Sequence, residues 1–160
     1  MMIIRKLGVE DAGVVRAIET LRNELSETEA LIDRAAFGAT LGNADAALFV
    51  AIDDAKTEDG RVVGAGMAML FWKPTGWQAE IHDVVVRESH RGQGIGRKIV
   101  EALIGWTKER AKQKNIKIAI RLTSRPKRIV ANELYKKIGF TLLAGATENG
   151  TNLYELKINP

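Results

Sequence analysis

The distribution of apolar and polar residues along the chain predicts short strands separated by polar turns. Each strand is a short run that is rich in β-branched and aromatic residues or alternates between apolar and polar positions. The predicted strands are residues 2–7, 48–52, 62–72, 77–86, 116–122, 140–143 and 153–158. Polar turns at 53–60, 73–76 and around 148–150 join three pairs of neighbouring strands, so these pairs are expected to be antiparallel.

Apolar residues spaced three or four positions apart predict helices between these strands. The predicted helices are residues 9–25, 27–41, 95–114 and 127–138. The third helix joins strand 77–86 to strand 116–122, and such a crossover favours parallel pairing of the two strands. The chain is therefore predicted to form one α/β (α+β) domain over residues 1–160. Its central sheet is mixed and mostly antiparallel, with about seven strands flanked by about four helices.

One segment, residues 81–114, combines a buried strand, a glycine turn and an amphipathic helix. The strand ends in valines 84–86, and the turn that follows reads Arg91-Gly92-Gln93-Gly94-Ile95-Gly96. Helical spacing of apolar residues begins at Ile95, so the glycines lie at a helix N-terminus. The first amides of a helix lack intrahelical partners and carry partial positive charge, and Arg91, Arg97 and Lys98 add full charges. The turn is therefore suited to a phosphate or pyrophosphate.

Two common phosphate-binding motifs do not match this turn. The G-x-x-x-x-G-K-[ST] loop of nucleotide triphosphatases does not occur in the chain. In the dinucleotide motif G-x-G-x-x-G, counted from Gly92, Arg97 occupies the last glycine position, and no ribose-binding acid follows in a strand-helix-strand unit. The spacing that fits is R-x-x-G-x-G, formed by Arg91, Gly94 and Gly96.

With this motif the chain resembles the GNAT superfamily of acyl-CoA N-acyltransferases, over residues 77–143. The resemblance implies that the turn binds the pyrophosphate of coenzyme A through Arg91, Gly92, Gln93, Gly94, Ile95, Gly96 and Arg97. It also implies that the backbone of Val84, Val85 and Val86 binds the pantetheine arm. In this family a main-chain N–H polarises the thioester carbonyl, at the point where the fourth strand bulges away from the fifth.

Acetyl transfer to an amine requires a base, because an alkylammonium group is mostly protonated at neutral pH. The candidates on the strand before the turn are Glu80, His82 and Asp83. Strand alternation predicts Glu80 and His82 on one face of the sheet and Asp83 on the other. Glu80 lies eleven residues before Arg91, the offset at which some members of the family carry a glutamate base. Glu80 is therefore ranked first, and His82 second, because imidazole side chains in general have a reference pKa of about 6.5.

A second motif, residues 131–140, predicts the proton donor. It resembles the family segment in which a tyrosine lies near the coenzyme A sulfur, and Tyr135 is that tyrosine. A phenol with a pKa of about 10 stays protonated at neutral pH and can protonate a departing thiolate. A tyrosine that only packs its ring is the alternative for Tyr135. Tyr154 is interpreted as structural or as a substrate contact.

The second motif departs from the family at one position. Members often carry an asparagine seven residues before the tyrosine, and this chain has Arg128 there. Two residues, Arg128 and Asn132, remain candidates for that contact with coenzyme A. Arg125 is a candidate for contact with an adenosine phosphate.

Composition narrows the remaining possibilities. The chain has no cysteine and only two histidines, which excludes disulfides and a cysteine nucleophile and argues against a metal site. The net charge of +4 raises the question of nucleic acid. The basic residues concentrate in 87–98 and 121–137, where they are better explained by polyanionic coenzyme A. No signal peptide or membrane-spanning run occurs, so the cytoplasm is the expected location.

The sequence therefore predicts an acetyl-CoA-dependent N-acetyltransferase that acts on a primary amine, without a metal and without membrane contact. The expected acceptor is a small molecule such as an amino sugar or an aminophosphonate. The alternatives are acetylation of protein N-termini or lysines, and a non-catalytic acyl-CoA-binding regulatory module. Salt-dependent nucleic-acid binding is a further, less favoured alternative. A homodimer is left open.

Overall fold

Seven strands form one mixed sheet in the computed structural model, which describes residues 1–24, 31–54, 61–146 and 150–158. The strands are Met2–Lys6 (β1), Ala46–Asp53 (β2), Val62–Lys73 (β3), Gly76–Val86 (β4), Ile118–Ser124 (β5), Thr141–Ala144 (β6) and Asn152–Ile158 (β7). The helices are Val15–Asn23 (α1), Arg34–Gly42 (α2), Ile95–Lys114 (α3) and Ile129–Ile138 (α4), with 3₁₀ helices at Val9–Val14 and Glu88–His90. The predicted fold class is confirmed.

The strand order across the sheet is β1-β2-β3-β4-β5-β7-β6. All neighbours are antiparallel except β4 and β5, which are parallel because α3 returns the chain across the sheet. β4 and β5 pair only at Ala79 with Ile120 and at Glu80 with Arg121. Beyond these pairs the two strands diverge. Residues 81–86 of β4 and 122–124 of β5 therefore border an opening, called here the β4–β5 gap.

Apolar side chains form a core on each face of the sheet. On one face α1 and α2 bury Leu21 and Phe37 against β2, β3 and Val85 of β4. On the other face α3 buries Ile99 and Leu103 against the sheet, in the same core as Tyr135 and Tyr154. The first face, where α1 lies, is called the α1 face, and the second the α3 face.

Several predicted boundaries are corrected by local backbone geometry. Residues 9–14 form a 3₁₀ helix, and α1 begins only at Val15. The helix predicted for 27–41 begins at Arg34, because the Asp33 carboxylate caps it by accepting from Ala36 N at 2.8 Å. Residues 25–30, which include Leu25, and the predicted turns at 55–60 and 147–149 lie outside the described residues.

The start of β5 is corrected from 116 to Ile118. Asn115 adopts a left-handed conformation with φ 51° and ends α3. Ile116 N then donates to Ala111 O at 3.0 Å, so residue 116 still belongs to the helix cap. The last helix begins at Ile129 rather than 127, with Arg128 as its N-cap.

A partly buried ion pair joins the first strand to the first 3₁₀ helix. Arg5 donates two hydrogen bonds to the Asp11 carboxylate, at 2.9 and 2.7 Å, and Gly8 N donates a third at 2.8 Å. The hydrogen bonds from Arg5, opposed by burial, lower the pKa of Asp11 from 3.8 to about 2. The folded state is therefore favoured where this carboxyl is ionised.

We expect Asp11→Asn to flatten the acid limb of the stability profile. A carboxyl whose pKa is lowered by folding stabilises the protein above about pH 4, and this contribution is lost as pH falls toward 2. Because the Arg5 side chain is 40% exposed, a contribution of about 1 kcal/mol is expected at neutral pH. Urea unfolding of wild type and variant between pH 2 and 7 measures it. Arg5→Gln should show the same profile, and a variant curve parallel to wild type would contradict the assignment.

Candidate active site

The glycine turn lies at the N-terminus of α3, as predicted. Gly92 and Gly94 have φ values of 77° and 75°, in the left-handed region that side chains rarely adopt. A Cβ atom at either position would meet nothing within 4 Å, so the space beside this backbone is open. Gly94 is the N-cap and supplies no side-chain hydrogen bond, so the first amides of α3 have no capping side chain.

The charges around the turn favour an anion. The first turn of α3 contains no acidic residue, and Arg97 and Lys98 lie within it. Arg97 Nη1 contacts Glu101 Oε1 at 3.1 Å on the exposed side of the helix. Free amides at a helix N-terminus together with these cations fit a pyrophosphate group.

The other residues of the turn have different environments. Ile95 is buried in the core, so only its backbone amide is available to a ligand, whereas Gln93 is exposed. A Cβ at Gly96 would lie 3.6 Å from Val86 Cγ2 and 3.7 Å from Leu134 Cδ2. Gly96 therefore faces the protein, and its contribution is close packing of α3 against β4 and α4.

A β-bulge interrupts β4 at the β4–β5 gap. Val85 pairs with Ala65 and His82 pairs with Met67, so Asp83 and Val84 together lie opposite a single residue of β3. The extra residue reverses the alternation of side chains along the strand. Val84 and Val86 consequently pack on the α3 face, and Val85 packs in the core of the α1 face.

The bulge also decides which backbone groups face the gap. Arg87 N donates to Val63 O at 2.8 Å, and in an antiparallel ladder alternate residues bond to the same neighbour. Val85 and Arg87 therefore bond to β3, whereas the Val84 and Val86 carbonyls face the gap side of β4, where they accept from Arg128 and Arg91. Of the three predicted valines, Val85 is turned away from the proposed pantetheine site because of this alternation.

Two arginine side chains contact these backbone groups. Arg128 Nη2 donates to Val84 O, and Arg91 Nε donates to Val86 O, each at 3.3 Å. Arg91 comes from the glycine turn and Arg128 from the start of α4. The two regions that the sequence assigns to coenzyme A therefore meet at one stretch of β4.

Glu80 and His82 lie side by side on β4, on the same face as predicted. His82 Nε2 is 3.1 Å from Glu80 Oε2, and the two side chains are 41% and 35% exposed. Glu80 is also the last residue of β4 that pairs with β5. The carboxylate–imidazole pair therefore lies at the point where the gap opens.

A cavity of about 250 Å³ adjoins this pair. Its polar lining includes Lys73, Gln78 and Arg121 in addition to Glu80 and His82. Gln78 is buried, contacts Lys73 through its oxygen and donates through Nε2 to Glu80 Oε1 at 3.4 Å. Sequence analysis did not single out Gln78 or Arg121. The period of two along β4, which places Gln78 on the same face as Glu80, is the signal that identifies Gln78.

The side chain of Asp83 lies on a different face of the sheet from the one predicted. Alternation predicts its carboxylate on the face opposite Glu80, but the bulge changes the direction of the side chain. Asp83 Oδ1 lies 3.4 Å from Arg22 Nη2 of α1, the helix that covers the α1 face. The Asp83 carboxylate thus pairs with an arginine, whereas the Glu80 carboxylate contacts the imidazole of His82.

Tyr135 is buried on the α3 face, with 3% of its surface exposed. Its ring packs against Phe140 and Tyr154 at centroid distances of 6.0 and 5.9 Å. Burial raises the pKa of Tyr135, and the nearby charge of Arg128 opposes this rise. The phenol is therefore protonated at neutral pH, and it lies near Arg128, which contacts Val84 at the gap.

Asn132 lies one helical turn before Tyr135 and is buried. Its Nδ2 donates to Arg128 O at 2.8 Å and Arg125 O at 3.0 Å, and its Oδ1 accepts from Tyr154 Oη at 2.9 Å and Asn152 Nδ2 at 3.2 Å. The amide is therefore occupied by protein groups, and it fixes the segment that carries Arg125 and Arg128. A direct contact of Asn132 with coenzyme A stays a prediction, as does that of Arg128.

Neither a metal centre nor a membrane span is found in the described part of the chain. Residues 1–24, 31–54, 61–146 and 150–158 contain no group of three or more potential ligands among His, Cys, Asp and Glu. Within the same residues no helix is long and apolar enough to cross a membrane.

Solved structures with the same fold are acetyltransferases from several organisms. A GNAT-family acetyltransferase of Streptococcus pneumoniae is 16% identical with a TM-score of 0.77, and the match covers 99% of this chain and 100% of that one. Glucosamine-6-phosphate N-acetyltransferase of Arabidopsis thaliana is 23% identical (TM-score 0.70; 92% and 96% covered). Arabidopsis thaliana NAA60, in complex with a bisubstrate analogue, is 14% identical (TM-score 0.74; 99% and 100% covered). No curated protein sequence matches the chain.

The sheet is opened between β4 and β5, and the glycine turn leads into α3 beside the opening. Residues 15–140 match the Acetyltransferase (GNAT) family. The chain belongs to this family, and the protein is an acetyltransferase.

We expect Gly94→Val to abolish coenzyme A binding, because the left-handed backbone does not accept a branched side chain and the open space beside the turn would be filled. Wild type should gain about 2.7 kcal/mol of stability at a coenzyme A concentration 100-fold above Kd. Thermal unfolding with and without coenzyme A measures this gain. Gly105→Ala, also in α3 and with nothing within 4 Å of its Cβ, is the matched control and should keep it. Full stabilisation of Gly94→Val would overturn the assignment of the turn.

Proposed function

We propose that the protein transfers an acetyl group from acetyl-CoA to a primary amine of a small molecule, by direct attack of the amine on the thioester. One observation carries the proposal. The Glu80–His82 pair lies on the α1 face where the β4–β5 gap opens, and Tyr135 lies in the core of the α3 face near Arg128, which donates to Val84 O at the gap. A base and an acid on opposite sides of an opening are what this transfer requires.

Glu80 and His82 act as the base. The amine enters from the cavity on the α1 face and loses a proton to the pair, either directly or through a water molecule. The 3.1 Å contact allows the imidazole to share the proton with the carboxylate. Glu80 is therefore the first candidate for the residue that accepts the proton, and His82 is its partner. Gln78 restrains the other oxygen of Glu80 and so fixes the direction of the carboxylate.

Tyr135 acts as the acid. As the carbon–sulfur bond breaks and the carbon–nitrogen bond forms, the phenol donates its proton to the departing sulfur. Its raised pKa keeps the hydroxyl protonated throughout the physiological range. The Val84 amide lies beside the bulge and supplies the hydrogen bond that polarises the acyl carbonyl.

The size of the acceptor cavity supports a small substrate. Its volume of about 250 Å³ is below the 300–1,000 Å³ that is common for ligand sites, and its lining combines charged and polar side chains with apolar ones such as Phe71 and Leu153. Structural neighbours include an enzyme named for a phosphorylated amino sugar and one bound to a bisubstrate analogue. An acceptor panel with thiol-release detection should therefore contain small amines, amino sugars and peptides, and turnover confined to peptides would contradict the proposal.

We expect Glu80→Gln and His82→Ala each to lower kcat, by about 10²-fold for the residue that accepts the proton. The double variant should lose no more than the more damaged single variant, because the two residues act as a pair. The loss should shrink as pH rises, since more of the amine is already neutral. Steady-state rates from pH 6 to 9 test this. Glu109→Gln, on the exposed surface of α3, is the control. Additive losses, or losses that are independent of pH, would remove the paired-base assignment.

Tyr135→Phe separates chemistry from packing, because it removes the hydroxyl and keeps the ring between Phe140 and Tyr154. We expect kcat to fall by about 10²-fold with an unchanged melting temperature. An acyl donor with a less basic leaving thiol needs the proton less and should restore part of the rate. Wild-type kcat in this variant would show that Tyr135 only packs.

A further inference from the structure

Asp83 has a backbone conformation that is unusual for its position. Among the described non-glycine residues only Asp83 and Asn115 have a positive φ, 53° and 51°. Asn115 ends helix α3, where this conformation is common. Asp83 instead lies inside strand β4, at the bulge beside the β4–β5 gap. A left-handed residue within a strand persists only when its surroundings hold it there.

Two ion pairs of opposite polarity hold this part of β4 against α1. Arg22 of α1 pairs with Asp83 at 3.4 Å, and Glu24, next to the end of α1, pairs with Arg87 at 3.4 Å. Arg87 Nη2 also lies 3.4 Å from Val62 O of β3. Valines 84–86 therefore lie between two residues, Asp83 and Arg87, each of which forms an ion pair with Arg22 or Glu24.

The conformation of Asp83 determines the direction of the next peptide group. Because the bulge adds one residue, Val84 and Val86 direct their backbone toward the gap and Val85 toward β3. Without the left-handed residue, alternation would continue unchanged from His82. The Val84 and Val86 backbone groups would then face β3.

We propose that Asp83 is a positioning residue, which acts through its ion pair with Arg22 to orient the Val84 amide toward the acyl carbonyl. This inference rests on the proposed function, because it assigns a task to that amide in acetyl transfer. The positioning role also explains why Asp83, although close in sequence to the Glu80–His82 pair, does not serve as the catalytic base. Its carboxylate is held by an arginine and sets backbone geometry.

The substitutions at Asp83 separate charge from backbone conformation. Asp83→Asn keeps a residue that tolerates the left-handed region but loses the charge, and Asp83→Ala loses both. We expect kcat to fall about tenfold in Asp83→Asn and further in Asp83→Ala, with KM for acetyl-CoA within twofold of wild type. Arg22→Gln should match Asp83→Asn, and the Arg22→Gln/Asp83→Asn double variant should lose no more. Asp54→Asn, which removes the 2.9 Å pair with Arg61, is the matched control.

A second measurement does not depend on the acceptor. In protein labelled with ¹⁵N-valine, the Val84 amide should shift between the coenzyme A and acetyl-CoA complexes of wild type. This shift should be absent in Asp83→Ala. If it is present in wild type but no amine is acetylated, the proposed function fails and the positioning role stands.

Three results would overturn the positioning role. A Val84 shift that is equal in wild type and Asp83→Ala shows that Asp83 does not orient the amide. A lower melting temperature with wild-type kcat shows that the ion pair only stabilises the fold. A 10²-fold loss in Asp83→Asn with wild-type rates in Arg22→Gln shows that Asp83 is itself a base.

Discussion

The pairing of β4 with β5 through only two residue pairs is the constraint on which the site depends. A parallel ladder that continued to the end of both strands would use the backbone groups of Val84 and Val86 for sheet hydrogen bonds. Because pairing stops at Glu80 and Arg121, these groups remain available, and Arg91 and Arg128 reach them from two different elements. The same interruption places Glu80 at the edge of an opening rather than within a continuous sheet.

The fold and much of the site follow from local sequence patterns. The glycine turn and the helix it begins can be read from spacing, whereas the Tyr135 segment was identified by its resemblance to the family. The parallel pairing of β4 with β5 also follows, because a helical crossover leaves few alternatives. The position of β7 between β5 and β6 does not follow, since a final hairpin can add to the sheet by either of its strands.

The bulge could not be predicted from spacing because nothing in residues 80–86 marks it. Asp83 resembles any polar residue in an alternating strand, and its ion-pair partner Arg22 lies far away in sequence. The environment of Asn132 could not be predicted for the same reason, since its partners Asn152 and Tyr154 come from β7. In both cases long-range contacts decide the direction of a side chain.

Gly64 and Gly66 of β3 affect the distance between the glycine turn and the Glu80–His82 pair. A Cβ atom at either position would come within 2.8 Å of Ile99, so α3 approaches the sheet more closely than an alanine would permit. The anion site at the start of α3 belongs to that helix, whereas the Glu80–His82 pair belongs to the sheet. The thickness of this one packing layer therefore sets the distance between the glycine turn and the Glu80–His82 pair.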